Sequence, residues 1–255
     1  MGTWIGILIM TNIFLGFLFL VIPPSLPYSV DRGDEEFARI NYPLAQAIYD
    51  SVLMTTPDSA DVLWRLARVY VCVADVSPRD EKLDLYRQAE ALAYRCIQAD
   101  SMKSEGHTWR AAALGNIAMF EGGETRVKLC YLIKQELDRG ISLNHADDVA
   151  YSIMGSFYMA LGDVSWIERQ LAAIFLGGLP EGGYDESEVA FKKAITIAPH
   201  VMRHHFELGG LYMVLDRYRE ALEEFQLVLA LPVLLAVDER TQRSAAILIK
   251  DLNDE

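Results

Sequence analysis

One spacing of small, bulky and helix-ending residues occurs four times along this chain, and it leaves little choice of architecture. In the clearest copy, residues 205 to 232 read His205-x-x-Leu208-Gly209-x-x-Tyr212, then Ala221-x-x-x-Phe225, then Pro232. The same register appears as Leu63-x-x-Leu66-Ala67-x-x-Tyr70, as His107-x-x-Arg110-Ala111-x-x-Leu114, and as Tyr151-x-x-Met154-Gly155-x-x-Tyr158. Each copy starts six residues after a helix-ending position, at Pro57, Ser101, His145 and Pro199, so the units are spaced 44, 44 and 54 residues apart. A small residue on one helix lets the partner backbone come close, a bulky residue fills the space beside it, and the terminator stops the second helix before the next pair begins. A single such pair cannot bury its own apolar side, so the pairs must stack.

This register resembles the tetratricopeptide pattern, with His205 in the slot of its tryptophan and Pro232 one place early. The resemblance implies an all-α fold: a tetratricopeptide-like α-solenoid of stacked antiparallel helix pairs. Apolar residues recurring at three and four support it from residue 31 onward, with helices expected over 60–75, 78–100, 104–120, 124–143, 147–161, 164–176, 185–198, 201–215, 217–230 and 238–252. Upstream, Ala45, Tyr49 and Val52 fill the expected slots of a helix ending at Pro57. The units longer than the standard period of about 34 residues need extra material, for which 74–83, 121–126 and 162–185 are the candidates.

The first thirty residues differ in kind. All charges lie beyond residue 30, and Trp4 to Ile22 is an uncharged run closed by Pro23-Pro24. As a helix it would reach about 28 Å, close to the hydrocarbon thickness of a bilayer. The organisation expected is therefore a hydrophobic N-terminal helix over residues 1–30, either a membrane anchor or a signal segment followed by a Pro-rich linker, and a repeat domain over 31–255. The localisation expected from it is membrane-associated, single-pass or exported, with the cytoplasmic face of a membrane as the alternative.

Several function classes are excluded or disfavoured by residue type. Twenty-three Lys and Arg against 36 Asp and Glu give a net charge of −13, the wrong sign for a nucleic-acid partner. Cys72, Cys96 and Cys130 sit in helical runs without Cys-x-x-Cys spacing and read as buried thiols. His200, His204 and Glu207 have the spacing of one helical face, but the helix start makes them polar end residues rather than metal ligands. Gly177-Gly178-Leu179-Pro180-Glu181-Gly182-Gly183 lacks the Gly-Lys-Ser/Thr of a phosphate loop. The pairs Glu35-Glu36 and Glu223-Glu224 read as solvated, and no nucleophile motif is present, so no catalytic residue, metal or cofactor is assigned.

A more specific likeness runs through residues 55 to 230. Leu63-Trp64-Arg65-Leu66-Ala67-Arg68, His107-x-Trp109, Tyr131-Leu132-Ile133-Lys134, Ile141-x-Leu143-Asn144, Ala172-Ala173-Ile174-Phe175 and Ala190-Phe191, in that order, resemble the regulator of microtubule dynamics family, including its insertion at 163–185. The resemblance implies a helical-repeat adaptor. Family members are associated with microtubules or mitochondrial membranes, and some carry an N-terminal anchor. Direct binding to acidic tubulin tails is physically unfavourable for a chain of this charge.

Function on such a scaffold belongs to the inner face of each first helix. One residue after the bulky slot and four further on lie Trp64, Arg68, Thr108, Ala112, Ser152, Ser156, Phe206 and Gly210, with Arg203, Asn116, Met159 and Met213 at the edges. Arg68 and Arg203 suit a carboxylate or carbonyl through their fork of donors, and Trp64 and Phe206 suit apolar anchoring. The competing structural role for Arg68 is a pair with a nearby acid. Two functions follow. The preferred one is a membrane-tethered adaptor binding a protein or peptide in an open groove. The other is an exported accessory protein holding a small ligand in a pocket near 163–185, walled by Phe157, Trp166, Phe175 and Tyr184. A deep enclosed cavity near 157–184 favours the second, and an open concave face favours the first.

Overall fold

The computed structural model describes residues 29–175 and 177–254. The apolar run 4–22, with the hydrophobic helix and membrane contact expected of it, lies outside the described residues. Among the described residues there are twelve helices. They pair as α1 (Val30–Ala38) with α2 (Tyr42–Thr55), α3 (Ala60–Val76) with α4 (Arg79–Ala99), and α5 (Ser104–Glu121) with α6 (Gly123–Leu143). Next come α7 (Asp148–Gly162) with α9 (Tyr184–Ile197), and α10 (Met202–Val214) with α11 (Tyr218–Ala230). The short α8 (Trp166–Phe175) rides in the insertion between α7 and α9, and α12 (Asp238–Asp254) caps the last pair. The first helices α3, α5, α7 and α10 stand side by side, as a tetratricopeptide-like solenoid requires.

The small-against-bulky rule sets how closely the pairs approach. A Cβ on Gly209 would come within 2.6 Å of the Phe225 ring, and one on Gly155 within 2.5 Å of Phe191. Gly33 faces Tyr49 in the same way, sixteen residues ahead of it as Gly209 is ahead of Phe225. Thus α1 and α2 form a fifth pair, and α1 is a helix the periodicity did not announce. The turns agree: Ile40 (φ 61°) and Asp216 (φ 57°) each stand seven residues after that glycine in left-handed backbone. Around them Asn41 N–H donates to the Glu36 carbonyl and Arg217 N–H to the Tyr212 carbonyl, both at 2.9 Å.

The extra residues of the second and third pairs lie within the helices rather than in loops. Helices α3 and α4 run 17 and 21 residues, and α5 and α6 run 18 and 21, against 13 each for α10 and α11. Only Ser77-Pro78 and Gly122 separate the members of those two pairs.

Two histidines occupy one slot and perform one task. His107 Nδ1 lies 2.5 Å from Glu136 and its Nε2 3.2 Å from the Ser101 carbonyl. His205 Nδ1 lies 2.6 Å from Glu224 and its Nε2 3.0 Å from the Pro199 carbonyl. Each ring therefore ties its own helix to the second helix of the pair and to the preceding terminator. Glu224 is consequently not solvated, and neither is Glu36, which is buried between Arg32, Arg39 and Asn41. The expectation of solvated pairs holds only for their neighbours, Glu35 and Glu223.

The superhelix closes on itself. In the turn after α11, Ala236 N–H donates to the Tyr42 hydroxyl at 3.1 Å, and Leu235 and Ala236 rest against the cluster of Phe37, Tyr42 and Cys72. Arg240 of α12 donates to the Asp75 carbonyl of α3 at 2.8 Å.

Two outcomes test this packing. Gly155→Val should lower stability by about 2 kcal/mol in urea unfolding through overpacking against Phe191, whereas Gly115→Ala, with no atom near its would-be Cβ, should raise it by about 0.5 kcal/mol. Burial alone would lower the His205 pKa, but the bonds to Glu224 and the Pro199 carbonyl outweigh it and hold the pKa above its ordinary value. That contribution is complete below about pH 6.5 and fades as pH rises through the raised value. The stability gap between the native chain and His205→Gln should therefore narrow as pH rises above about 6.5.

Candidate functional site: an apolar cavity inside the ring

Closure of the superhelix turns the inner face into a cavity of about 710 Å³. Its floor is made by the four adjacent first helices: Val71, Cys72 and Asp75 of α3, Trp109, Ala112 and Asn116 of α5, Ser152, Ile153 and Ser156 of α7, and Arg203, His204 and Glu207 of α10. Val127, Cys130 and Ile133 of α6, with Leu171 and Ala172 of α8, wall one side, and Leu235 reaches in from the closing turn. A space of this size and apolar character is typical of small-ligand sites.

Charged groups reach the lining from α3 and α10, as Asp75, Arg203 and Glu207, and from α6 and α8, as Glu124, Arg126 and Glu168. Arg203 lines the cavity with 43% of its side-chain surface exposed. Its carboxylate neighbours stand off, with Asp75 and Glu207 each at 3.8 Å, beyond hydrogen-bond reach. Burial opposes the charge, but Glu207 and Asp75 more than offset it and hold Arg203 firmly cationic. Nearby, Ser152 Oγ and His204 Nδ1 are buried without a hydrogen-bond partner. The other nitrogen of His204 bonds Asp148 at 2.8 Å, so this histidine is a tether between α10 and α7. Cys72 is an inert thiol: burial, reinforced by Asp75, pushes its pKa up to about 12.

The sequence-derived residues divide into two groups. Ser152, Ser156 and Arg203 line the cavity, together with Ala112 and Asn116. Phe206 lines an adjoining space of about 230 Å³ that shares Asp75, Arg203 and Glu207 with the main cavity. Thr108 is 1% exposed and donates to Asp147 at 2.7 Å, locking α5 to the start of α7. Trp64 and Arg68 are used to seat α1: Arg68 lies 3.7 Å over the Phe37 ring and bonds Asp34 at 3.1 Å, while Arg65 grips the same carboxylate and stacks on Trp64. Arg68 thus pairs with a nearby acid, Asp34. Met159 and Met213 pack on the Phe191 cluster.

Cavity residues that sequence reasoning missed include Val71, Cys72, Asp75 and Trp109. In α3 the inner face is displaced a turn or more toward the C-terminus, because α1 covers its first turns, whereas in α5 Ala112 and Asn116 line the cavity where the spacing places them. The signal available was Gly33, sixteen residues before Tyr49, marking one more pair upstream. Of the expected pocket wall, Phe157 lines the cavity and Tyr184 instead bonds Asp163 at 2.7 Å, while the side chains of Trp166 and Phe175 lie outside the described set.

With this geometry established, comparison with known proteins is decisive for kinship. A family model described as Regulator of microtubule dynamics protein 1-3 matches residues 30–253. The chain belongs to this family. It is 27% identical to Regulator of microtubule dynamics protein 1 of Bos taurus over 203 residues, 78% of this chain and 63% of that protein. To Regulator of microtubule dynamics protein 2 of Homo sapiens it is 27% identical over 188 residues, 73% of this chain and 46% of that protein. The chain therefore spans about half to under two thirds of the length of these curated relatives. Among solved structures, a thermophilic TPR protein of Thermus thermophilus superposes with a TM-score of 0.63 at 18% identity, over 87% of this chain and 97% of that one, which supports the fold.

Membership in the regulator of microtubule dynamics family corrects the localisation expectation. The family and its matched members are described as regulators of microtubule dynamics, not as exported or single-pass membrane proteins, and among the described residues no helix is long and apolar enough to cross a membrane.

The two arginine roles are separable. Asp34→Ala strands the mostly buried Arg65 and Arg68 and should cost about 2 kcal/mol of stability, while Arg203→Ala breaks no hydrogen bond and should cost under about 0.5 kcal/mol, both read by urea unfolding.

Proposed function

We propose that the protein is a non-enzymatic interaction scaffold whose ring interior holds an apolar chain bearing one acidic group. The observation that carries this reading is the cavity itself: an apolar space of about 710 Å³ lined by Arg203, whose carboxylate neighbours stand 3.8 Å off. An extended peptide would bring an N–H and a carbonyl with every residue, and each one buried unpaired costs about 1–3 kcal/mol. The cavity provides few partners for them. Asn116, suited to clamp a peptide backbone, already donates to the Ala112 carbonyl at 3.0 Å. A hydrocarbon or aromatic body carries no such burden, and its acidic end would take the free donors of Arg203. Arg203 and Arg240 balance Asp75 and Glu207 around the adjoining space, so a single added anion meets no surplus of negative charge there.

A second reading places a protein segment at the same site. It draws on α8, where Ile167, Leu171 and Ile174 are exposed, with Leu171 also on the cavity wall, giving a partner an apolar surface at the rim. The net charge of −13 opposes direct contact with tubulin tails, so any tie to microtubules would run through such a partner.

Anilinonaphthalene sulfonate combines an apolar body with one acid and serves as the probe. It should bind the native chain one to one, weaken about tenfold in Arg203→Ala (about 1.4 kcal/mol), and be lost in Ala112→Trp, which fills the cavity. Binding that ignores both substitutions would sink the reading.

A further inference from the structure

The ring has one seam, built unlike the joints between successive helix pairs. Successive pairs are joined by helix packing, as α2 with α3, α4 with α5, α6 with α7 and α9 with α10, whereas α2 and α3 meet α10 and α12 mainly through the turn at residues 231–237. Pro232 follows the end of α11, and the residues after it form no helix until Asp238. The turn is held in shape from within. The buried Asp238 carboxylate accepts Leu234 N–H at 2.8 Å and Leu235 N–H at 2.9 Å, and Asp238 N–H donates to the Leu235 carbonyl at 3.0 Å. Its hold on the far side is slight by comparison: Ala236 N–H to the Tyr42 hydroxyl, Arg240 to the Asp75 carbonyl, and two half-buried side chains on the Phe37–Tyr42–Cys72 cluster. The ion pair spanning the seam, Arg203 to Asp75, is a long one at 3.8 Å.

We infer that residues 231–237 act as a strap that detaches and re-attaches as a unit, opening the ring over its cavity while the helix pairs stay folded. Regions with few buried contacts open at a small fraction of the free energy of global unfolding. Internal bracing by Asp238 lets the strap leave without losing its own shape. Leu235 and Cys72 lie on the two sides of the seam and both face the cavity, so detachment uncovers the interior there. The inference goes beyond the ligand reading, since it concerns how the interior is reached and holds whatever occupies it.

Cys72 supplies a readout that needs no ligand. All three thiols are buried: Cys72 at the seam, Cys130 on the cavity wall from α6, and Cys96 within the second pair, where it donates to the Ala60 carbonyl. Iodoacetamide labelling of the full chain at constant pH, followed cysteine by cysteine by mass spectrometry, should modify Cys72 about 100-fold faster than Cys96, with only weak dependence on low urea. Combining Tyr42→Phe with Arg240→Ala should speed Cys72 about tenfold and Cys130, on the cavity wall away from the seam, by less, and change Cys96 by less than twofold. Cys72 labelling no faster than Cys96, or with a urea dependence as steep as global unfolding, would overturn the strap. So would acceleration of all three thiols together, which marks general loosening, or of none, which marks entry by another route. If the probe fails to bind but Cys72 behaves as stated, the cavity reading falls and the strap stands.

Discussion

When a glycine on one helix faces an aromatic ring on its partner, the two backbones approach to a distance that no side chain on the first helix would permit. Gly33 against Tyr49, Gly155 against Phe191 and Gly209 against Phe225 impose that distance in three of the five pairs, and the fully buried Ala67 and Ala111 occupy the slot in the others. A pair packed this closely still leaves one apolar flank open, so its neighbour must cover it. Repeating one packing geometry repeats one rotation between neighbours, and the rotation accumulates into curvature. The ring and its interior are consequences of one small-against-bulky contact repeated from pair to pair.

Lengthened helices determine where the interior lies. In the second pair the added turns extend α3 beyond the region that α1 covers, so Val71, Cys72 and Asp75 face inward while Trp64 and Arg68 are enclosed. Arg65, Arg68 and Asp34 seat α1, and the α1–α2 pair then presents Phe37 and Tyr42 to the closing turn. A cluster that resembles a binding patch in sequence instead fixes the surface on which the ring closes.

Much of the architecture was legible in the chain because it is local. The boundaries of α3 to α7 and α9 to α12 follow from apolar spacing and terminators within one or two turns of sequence. Helix α1 was not legible in this way: its nine residues are dominated by charge, and only the pairing of Gly33 with Tyr49 reveals its place. The site was legible in part. Ser152, Ser156 and Arg203 sit on helices of nearly standard length, where the slot rule transfers directly, and they reach the cavity. Trp64, Arg68 and Thr108 do not, because the rule assumes that nothing precedes the first copy and that inner positions have no partner across the pair. Closure was beyond reach of any local pattern, since Ala236 and Tyr42 meet across 194 residues.

The electrostatic arrangement explains why an acidic protein keeps a cation at its centre. Many of its carboxylates are committed to structural pairs, as Asp34 is with Arg65 and Arg68, Glu136 with His107 and Arg110, and Glu188 with Arg217. The bond from Arg217 holds Glu188 down at about 2, so that pair keeps its charge at any ordinary pH. Arg203 is different. Asp75 spends one oxygen on the Tyr86 hydroxyl at 3.0 Å, and Glu207 stays 3.8 Å away, so the guanidinium has charge compensation but no bonded acceptor. On the wall of a low-dielectric space, donors left in that condition gain more from a new acceptor than donors already bonded to one. A neutral apolar occupant would leave those donors as they are, whereas an acceptor beside Arg203 would satisfy them without disturbing the pairs that hold the ring together.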